Sequence, residues 1–405
     1  MKSRLRFQVL AFTATRTVLN TMHRMVYPLL PAFQRGLGVD LGALSLALTL
    51  RSLAGASGPL LASVADSRGR KAGMMTGLVL FVAGVGLVAV WPTYQAFLIA
   101  LILAMVGKYI FDPAMQAYLG DRVAYQRRGL VLAVTEVGWS FSFILGVPLM
   151  GLLIATFGWA APFPLFALLG LLALGLLGWL IPRDPDPAIG RVGLLGNMSL
   201  VWASLPALAG LAMSLLLSAA NEVINLVFGV WLEDSFGLKI TALGAVAIVI
   251  GLSELGGESL VGGLTDRLGK VRSLTIGLLL NSLAALALSI IGQSTLWALV
   301  GLFLFYITFE FTLVSSIPLM SEILPNARAT LMGMNIAAIS IGRALGALIA
   351  YPVYSLGIDG GPPSLLPSAI AVGLLNLLAL IALRRIKDWD QGSVAGHFSP
   401  PDPFS

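Results

Sequence analysis

Arg16, Asn20 and Arg24 stand at i, i+4 and i+8 in an otherwise apolar stretch, with His23 and Tyr27 close to the same stripe. On a helix that spacing gathers polar groups on one face. Arg51, Lys108, Asp112, Glu136, Glu222, Glu254, Glu258, Glu310 and Arg343 lie in similarly apolar surroundings further along the chain. An ionisable group at the centre of a bilayer costs at least about 2.5 kcal/mol on insertion scales, so such groups face a cavity, water or one another. Two kinds of chemistry suit them. Charges sheltered from lipid can hold a polar or charged solute, and a carboxyl withdrawn from water can take up and release a proton. Acids and bases are nearly balanced in number, which implies that many are paired, because an unpaired buried charge is costly.

The elements that must position these residues are membrane spans. Of 405 residues, 58% are apolar and only 11% charged, whereas a soluble domain carries about a quarter charged residues. A span takes about 20 mostly apolar residues, and twelve such stretches are predicted, at 7–33, 41–64, 73–91, 95–119, 129–154, 159–181, 201–231, 241–264, 273–292, 295–322, 329–352 and 365–384. The fold class is therefore an all-α integral membrane protein. Residues 183–200, with Pro182, Pro185 and Pro187, read as a linker between a six-helix bundle at 1–182 and a second at 201–386. Residues 387–405 read as a disordered polar tail. Met1 to Arg6 is basic and runs into the first apolar stretch without a small-residue cleavage site, so it reads as the start of a retained span.

Among the 25 basic residues, only Arg35 and Lys239 fall in the loops on one side, while the loops and termini on the other side hold most of the rest. Lys and Arg are enriched in cytoplasmic loops, so both termini are predicted to be cytoplasmic. The net charge of +6 comes from residues scattered singly, not from a basic face, and nucleic acid is not an expected partner. Cysteine is absent, which removes disulfides, thiol catalysis and thiolate metal sites. The two halves repeat each other at an offset of about 200 residues: Asp66 and Gly69 recur as Asp266 and Gly269, Arg128 as Arg328, and Leu145-Gly146 as Leu345-Gly346. Internal repeats of this kind place a binding site near the midplane between the halves.

Two loops carry the sharpest motif. One runs Ala62-Ser-Val-Ala-Asp66-Ser67-Arg68-Gly69-Arg70-Lys71, and the other Gly262-Gly-Leu264-Thr-Asp266-Arg267-Leu-Gly269-Lys270. Both resemble the G-x-L-x-D-R-x-G-R-K signature of the major facilitator superfamily; the second copy follows it closely, and the first has Ala62 and Ser67 at the expected Gly and Arg. Physically, Gly permits a tight turn, the basic cluster suits an anionic leaflet, and Asp can engage a helix N-terminus or a basic neighbour. The resemblance implies twelve helices in two pseudo-symmetric bundles, and a gating role for Asp66, Gly69, Arg70, Lys71, Asp266, Arg267, Gly269 and Lys270. Span five, with Gly146-Val147-Pro148 and Gly151, looks like a degraded form of the glycine-proline signature of the family's antiporters. In span four, Lys108 stands where the family often carries an Arg.

These readings converge on a secondary transporter moving a small organic solute by alternating access, with proton-coupled efflux as the expected mode. Uptake or facilitated movement of an anionic solute is the alternative, resting on the basic stripe with Arg51 and Arg343. The substrate cavity is expected from Arg16, Asn20, His23, Arg24, Arg51, Asn221, Asn225 and Arg343. Asp112, Glu222 and Glu310 are the expected proton carriers, with Lys108 a candidate partner of Asp112 and Arg343 of Glu310. Glu136, Glu254 and Glu258 are placed toward the cytoplasmic half, where gating is as plausible as solute contact. An enzyme is not expected: His23 and His397 are the only histidines, no metal-ligand cluster is seen, and no Walker loop occurs. No cofactor is expected, and the chain is expected to work as a monomer in a bacterial cytoplasmic membrane.

Overall fold

Backbone groups in lipid must bond within their own segment, so apolar runs of this length fold as helices. The computed structural model describes residues 3–60, 69–123, 125–182, 194–358 and 363–395, and no strand occurs among the described residues. The first half comprises α1 (Ser3–Arg24), α2 (Leu30–Leu37), α3 (Leu41–Ala56), α4 (Arg70–Val90), α5 (Tyr94–Arg122), α6 (Tyr125–Phe141), α7 (Val147–Phe157) and α8 (Pro162–Leu180). After α9 (Leu194–Ala203), the second half comprises α10 (Leu205–Phe236), α11 (Ile240–Leu268), α12 (Lys270–Ile291), α13 (Thr295–Ile323), α14 (Arg328–Ser355) and α15 (Leu366–Ala395).

Among the described residues, ten segments are long and apolar enough to cross a membrane, or eleven if the bent pair α2 and α3, at 113°, is one span. The predicted count of twelve is thus approximate, and the difference lies in the first two spans. The first was read as continuous over 7–33, but the helix breaks after Arg24, where Pro28 has no N–H to donate, and restarts at Leu30 with Pro31 in its first turn. The second restarts at Leu41, with the Asp40 carboxylate accepting from the Ala43 N–H at 2.7 Å as an N-cap. Span five is also interrupted: a π-helical turn at Ser142–Gly146 joins α6 to α7, next to Pro148. Two boundaries differ from the sequence reading. Residues 194–200 of the expected linker begin α9, and α15 runs on to Ala395, into the expected tail. Residues 183–193 of the linker and 396–405 of the tail lie outside the described residues.

Within the first half, α4 packs on α5 and α8, α1 on α6 and α8, and α3 on α5. The second half repeats the pattern, with α12 on α13 and α15, α10 on α14 and α15, and α11 on α13. The halves meet through two main contacts, α3 against α14 and α7 with its π turn against α11. The repeat carries α3 onto α11 and α7 onto α14, so it exchanges one contact for the other. That exchange is the self-complementarity a two-fold axis demands. Burial follows the same plan: 83% of the apolar window of α10 is buried, against 33% for α8 and for α15, which leaves the latter two facing lipid.

Candidate functional site

The face away from the two termini is closed by chain against chain. Arg35 at the end of α2 pairs with Glu233 at the end of α10, Nη1 to Oε2, at 2.6 Å. Nearby, α10 comes so close to the break in the first span that a Cβ on Gly229 would lie 2.7 Å from the Tyr27 carbonyl. At the other contact, a Cβ on Gly151 of α7 would lie 3.1 Å from the Gly244 Cα of α11, so the paired glycines let these helices approach closely.

Below this seal lies a cavity of about 470 Å³. Its lining on α11 and α13 comes from the middle of each helix and the end nearer the terminal face, with Leu255 and Glu258, and Leu313 and Ile317, and on α6 it begins at Ala133, in mid-helix. The cavity therefore runs from the midplane toward the face that holds both termini.

Its floor is a hydrogen-bonded relay that crosses from one half to the other. Arg51 of α3 is 1% exposed; it donates through Nη1 to the His23 carbonyl at 2.9 Å and through Nη2 to the Tyr27 hydroxyl. Tyr27 donates to Glu222 Oε1 at 2.7 Å, Asn225 Nδ2 donates to Glu222 Oε2 at 3.3 Å, and Tyr306 donates to Asn225 Oδ1 at 2.7 Å. Each of these five side chains thereby finds a partner, as burial demands, although Arg51 Nε has none among the described residues.

The wall joins the halves as well. Arg24, the last residue of α1, forms an ion pair with Glu254 of α11 and donates to the Trp139 carbonyl at 2.9 Å. Its guanidinium lies over the rings of Trp139 and Phe143, at 4.1 and 3.4 Å from their centroids. Glu258 follows Glu254 by one turn, and Glu310 of α13 sits between them in height, since a Cβ on Gly257 would lie 2.9 Å from the Glu310 Cβ. Glu258 and Glu310 make no hydrogen bond or ion pair among the described residues, and the same holds for Arg343. The pairing of Glu310 with Arg343, the alternative to proton carriage that the sequence left open, is not formed.

A third cluster lies within the first half. Arg16 bonds Asp112 Oδ1 through Nε at 3.2 Å, and through Nη1 meets Glu136 Oε1 at 2.8 Å and the Thr135 carbonyl at 2.9 Å. Lys108 pairs with the second oxygen of Asp112, as the i, i+4 spacing predicted.

Of the residues expected at the cavity, His23, Arg24, Asn221, Asn225 and Arg343 line it. Arg16, Asn20 and Arg51 lie behind its wall, buried to 4%, 0% and 1% exposure, and neither amide atom of Asn20 has a partner among the described residues. Glu310 lines the cavity, whereas Asp112 and Glu222 do not. Glu254 and Glu258, placed by the sequence reading where gating and solute contact were equally plausible, are cavity walls, as is Glu136. Trp139, Phe143, Tyr306 and Phe309 had not been singled out; Trp139 was visible only as an aromatic beside Gly138 in span five, one helical turn from Glu136.

Of the loop motifs, Asp66 lies outside the described residues, as does the side chain of Asp266. Gly69 and Gly269 both take left-handed φ, 94° and 84°, and open α4 and α12. Arg70 reaches Asp121 at the end of α5 at 3.6 Å, and Lys270 pairs with Glu322 at the end of α13. These contacts are counterparts under the repeat, and each stays within its own half. Lys71 donates to the carbonyls of Gly178 and Ile181 at 2.6 Å, satisfying the C-terminus of α8, and Arg267 is exposed.

The chain is 26% identical over 335 residues to the uncharacterised MFS-type transporter YwfA of Bacillus subtilis (strain 168), covering 82% of this chain and 81% of that one. It is 25% identical over 279 residues to the multi-drug resistance efflux pump PmrA homolog of Lactococcus lactis subsp. lactis (strain IL1403), covering 66% and 68%. In shape it is similar to a bacterial homolog of the human lysosomal transporter Spinster in an inward-facing, unoccupied conformation, with a TM-score of 0.75 at 13% identity over 96% of each chain. The nucleoside transporter NupG has a TM-score of 0.74 at 13% identity, over 93% of this chain and 99% of that one. The family model described as Major Facilitator Superfamily matches residues 13–389. With two pseudo-symmetric helical halves, a cavity between them and this match along nearly the whole sequence, the chain belongs to the major facilitator superfamily, a family of multi-pass membrane transporters and not of enzymes.

Proposed function

We propose that the chain exports a small organic solute in exchange for protons, by alternating access, from a membrane in which both termini face the cytoplasm. The observation that carries this reading is Glu310, a carboxyl at 7% exposure with no bonded partner among the described residues, in a cavity that is closed on one face. A carboxyl so placed is relieved by a proton in one open form and by water or a cation in the other, and that difference in proton affinity is the coupling. The groups that face it are Glu254 and Glu258 from α11, Arg24 from α1 and Arg343 from α14. Of the three acids expected to carry a proton, Glu310 is favoured because Asp112 is held by two cations and Glu222 by Tyr27 and Asn225. Export is supported by the efflux-pump relative and by the span-five glycines and proline. The anionic-solute reading keeps one observation, Arg343 at the cavity without a partner; the other cations of the basic stripe are already bonded.

The test uses the purified chain in proteoliposomes with a trapped pH-sensitive dye and a panel of cationic, neutral and anionic aromatic compounds. Addition of a transported compound is expected to release protons from the lumen. Glu310→Gln should abolish that signal while counterflow exchange of the same compound continues. Proton release undiminished in Glu310→Gln would remove this residue as carrier, and counterflow without any proton signal in the unaltered chain would sink the coupling.

A further inference from the structure

Resting on the transport reading, we infer that the solute is an organic cation with a flat or delocalised charge, and that Arg24 fills its site as a placeholder. The niche around the guanidinium has the chemistry of cation recognition: two aromatic faces, Trp139 and Phe143, a carboxylate, Glu254, and a backbone carbonyl that accepts at 2.9 Å. Nothing in that set distinguishes the chain's own cation from one that arrives through the cavity.

The charge around the niche is also in surplus on the acidic side. Glu254, Glu258 and Glu310 converge on one wall, where close approach of α11 and α13 at Gly257 brings them together. Among the described residues Arg24 is the one cation bonded to any of them, and Glu254 Oε2, in a carboxylate 4% exposed, is left without a partner. Arg343 also lines the cavity, so three carboxyls stand against two cations; a further positive charge is welcome at the acidic wall, and an anion would meet the surplus. Position favours exchange as well. Arg24 ends α1 at the break before α2, and it tethers the first half, at the Trp139 carbonyl, to the second, at Glu254. A solute cation that takes its place removes a tie between the halves and supplies the charge that the acids require.

The probe is labelled tetraphenylphosphonium, bound to the purified full-length chain, with tetraphenylborate as the anion of matching shape. The unaltered chain should bind the phosphonium and not the borate. Glu254→Gln should weaken binding about tenfold or more, and Arg24→Gln, which vacates the niche while keeping a polar side chain, should tighten it about fivefold. If Arg24→Gln does not fold, Arg24→Lys serves instead, since a compact ammonium covers the two rings less well and should also tighten binding. Weakening in Arg24→Gln comparable to that in Glu254→Gln overturns the proposal, as does borate binding equal to phosphonium binding, or Arg24→Lys binding no more tightly than the unaltered chain. The assay needs no turnover. The expected binding pattern without counterflow would therefore count against transport and leave the cation site standing, whereas counterflow of an anion without that pattern would overturn the cation site alone.

Discussion

Asp112 and Glu310 lie at nearly equivalent depth in the two halves, 198 residues apart in sequence, yet they keep opposite electrostatic company. Asp112 is held by Arg16 and Lys108, and Glu310 by nothing among the described residues. Removing one member of a buried charge cluster costs about 3–5 kcal/mol, because the remaining charges are left uncompensated. Asp112→Asn is therefore expected to lower the denaturation midpoint markedly while proton release per solute in the surviving protein stays unchanged. Glu310→Gln should do the reverse, leaving the midpoint level or raised and the coupling lost. Equal thermal losses in the two variants would contradict this division. The sequence showed that both acids lie at membrane depth, since that follows from the apolar run around each. It offered Lys108 as a partner for Asp112 but could not show Arg16 joining them, because Arg16 reaches Asp112 only through the packing of α1 beside α5 and α6.

At the scale of elements, the spans themselves were legible because lipid leaves a backbone few choices. Their interruptions were less so. Pro28 and Pro148 were plain in the sequence, but proline can end, kink or merely start a helix, and the neighbouring helices decide which. The turn at Ser142–Gly146 leads into α7, whose Gly151 meets Gly244 of α11. Sequence showed Gly151 as a small residue in span five; that it is half of a close contact between the halves required the partner. Gly151→Leu would force a branched side chain against α11, where a Cβ alone would already lie 3.1 Å from the Gly244 Cα. Overpacking of this kind costs about 1–3 kcal/mol, and it acts only in the form in which α7 and α11 are in contact. The expected result is a shift of about tenfold or more toward the form open on the face away from the termini. Single cysteines introduced on that face of a chain with none of its own would read it as faster labelling by a water-soluble thiol reagent. Unchanged labelling would mean that the contact does not bias the two forms.

For the whole molecule, the repeat predicted two halves with a site between them, and the structure has a cavity lined from both halves; the direction in which that cavity opens had no signal in the sequence, because one sequence serves both forms. The seal that decides it includes Arg35 and Glu233, with side chains 55% and 23% exposed. Ion pairs this exposed contribute about 0.2–1 kcal/mol, enough to bias a conformation that must reopen and too little to fix it. Glu233→Arg should raise cysteine labelling on the sealed face a few-fold, and the exchange of both residues, Arg35→Glu with Glu233→Arg, should return it to its starting level. If the exchanged pair labels as fast as Glu233→Arg alone, the seal does not depend on this attraction. Arg35 and Glu233 lie three and four residues before Gly38 and Gly237, the left-handed glycines that close α2 and α10. The helix ends that meet at this seal are thus equivalent ends of the two halves, and equivalent ends can meet only where the two-fold axis passes. A tie on the axis belongs to neither half alone, so a change in either residue loosens both bundles at once.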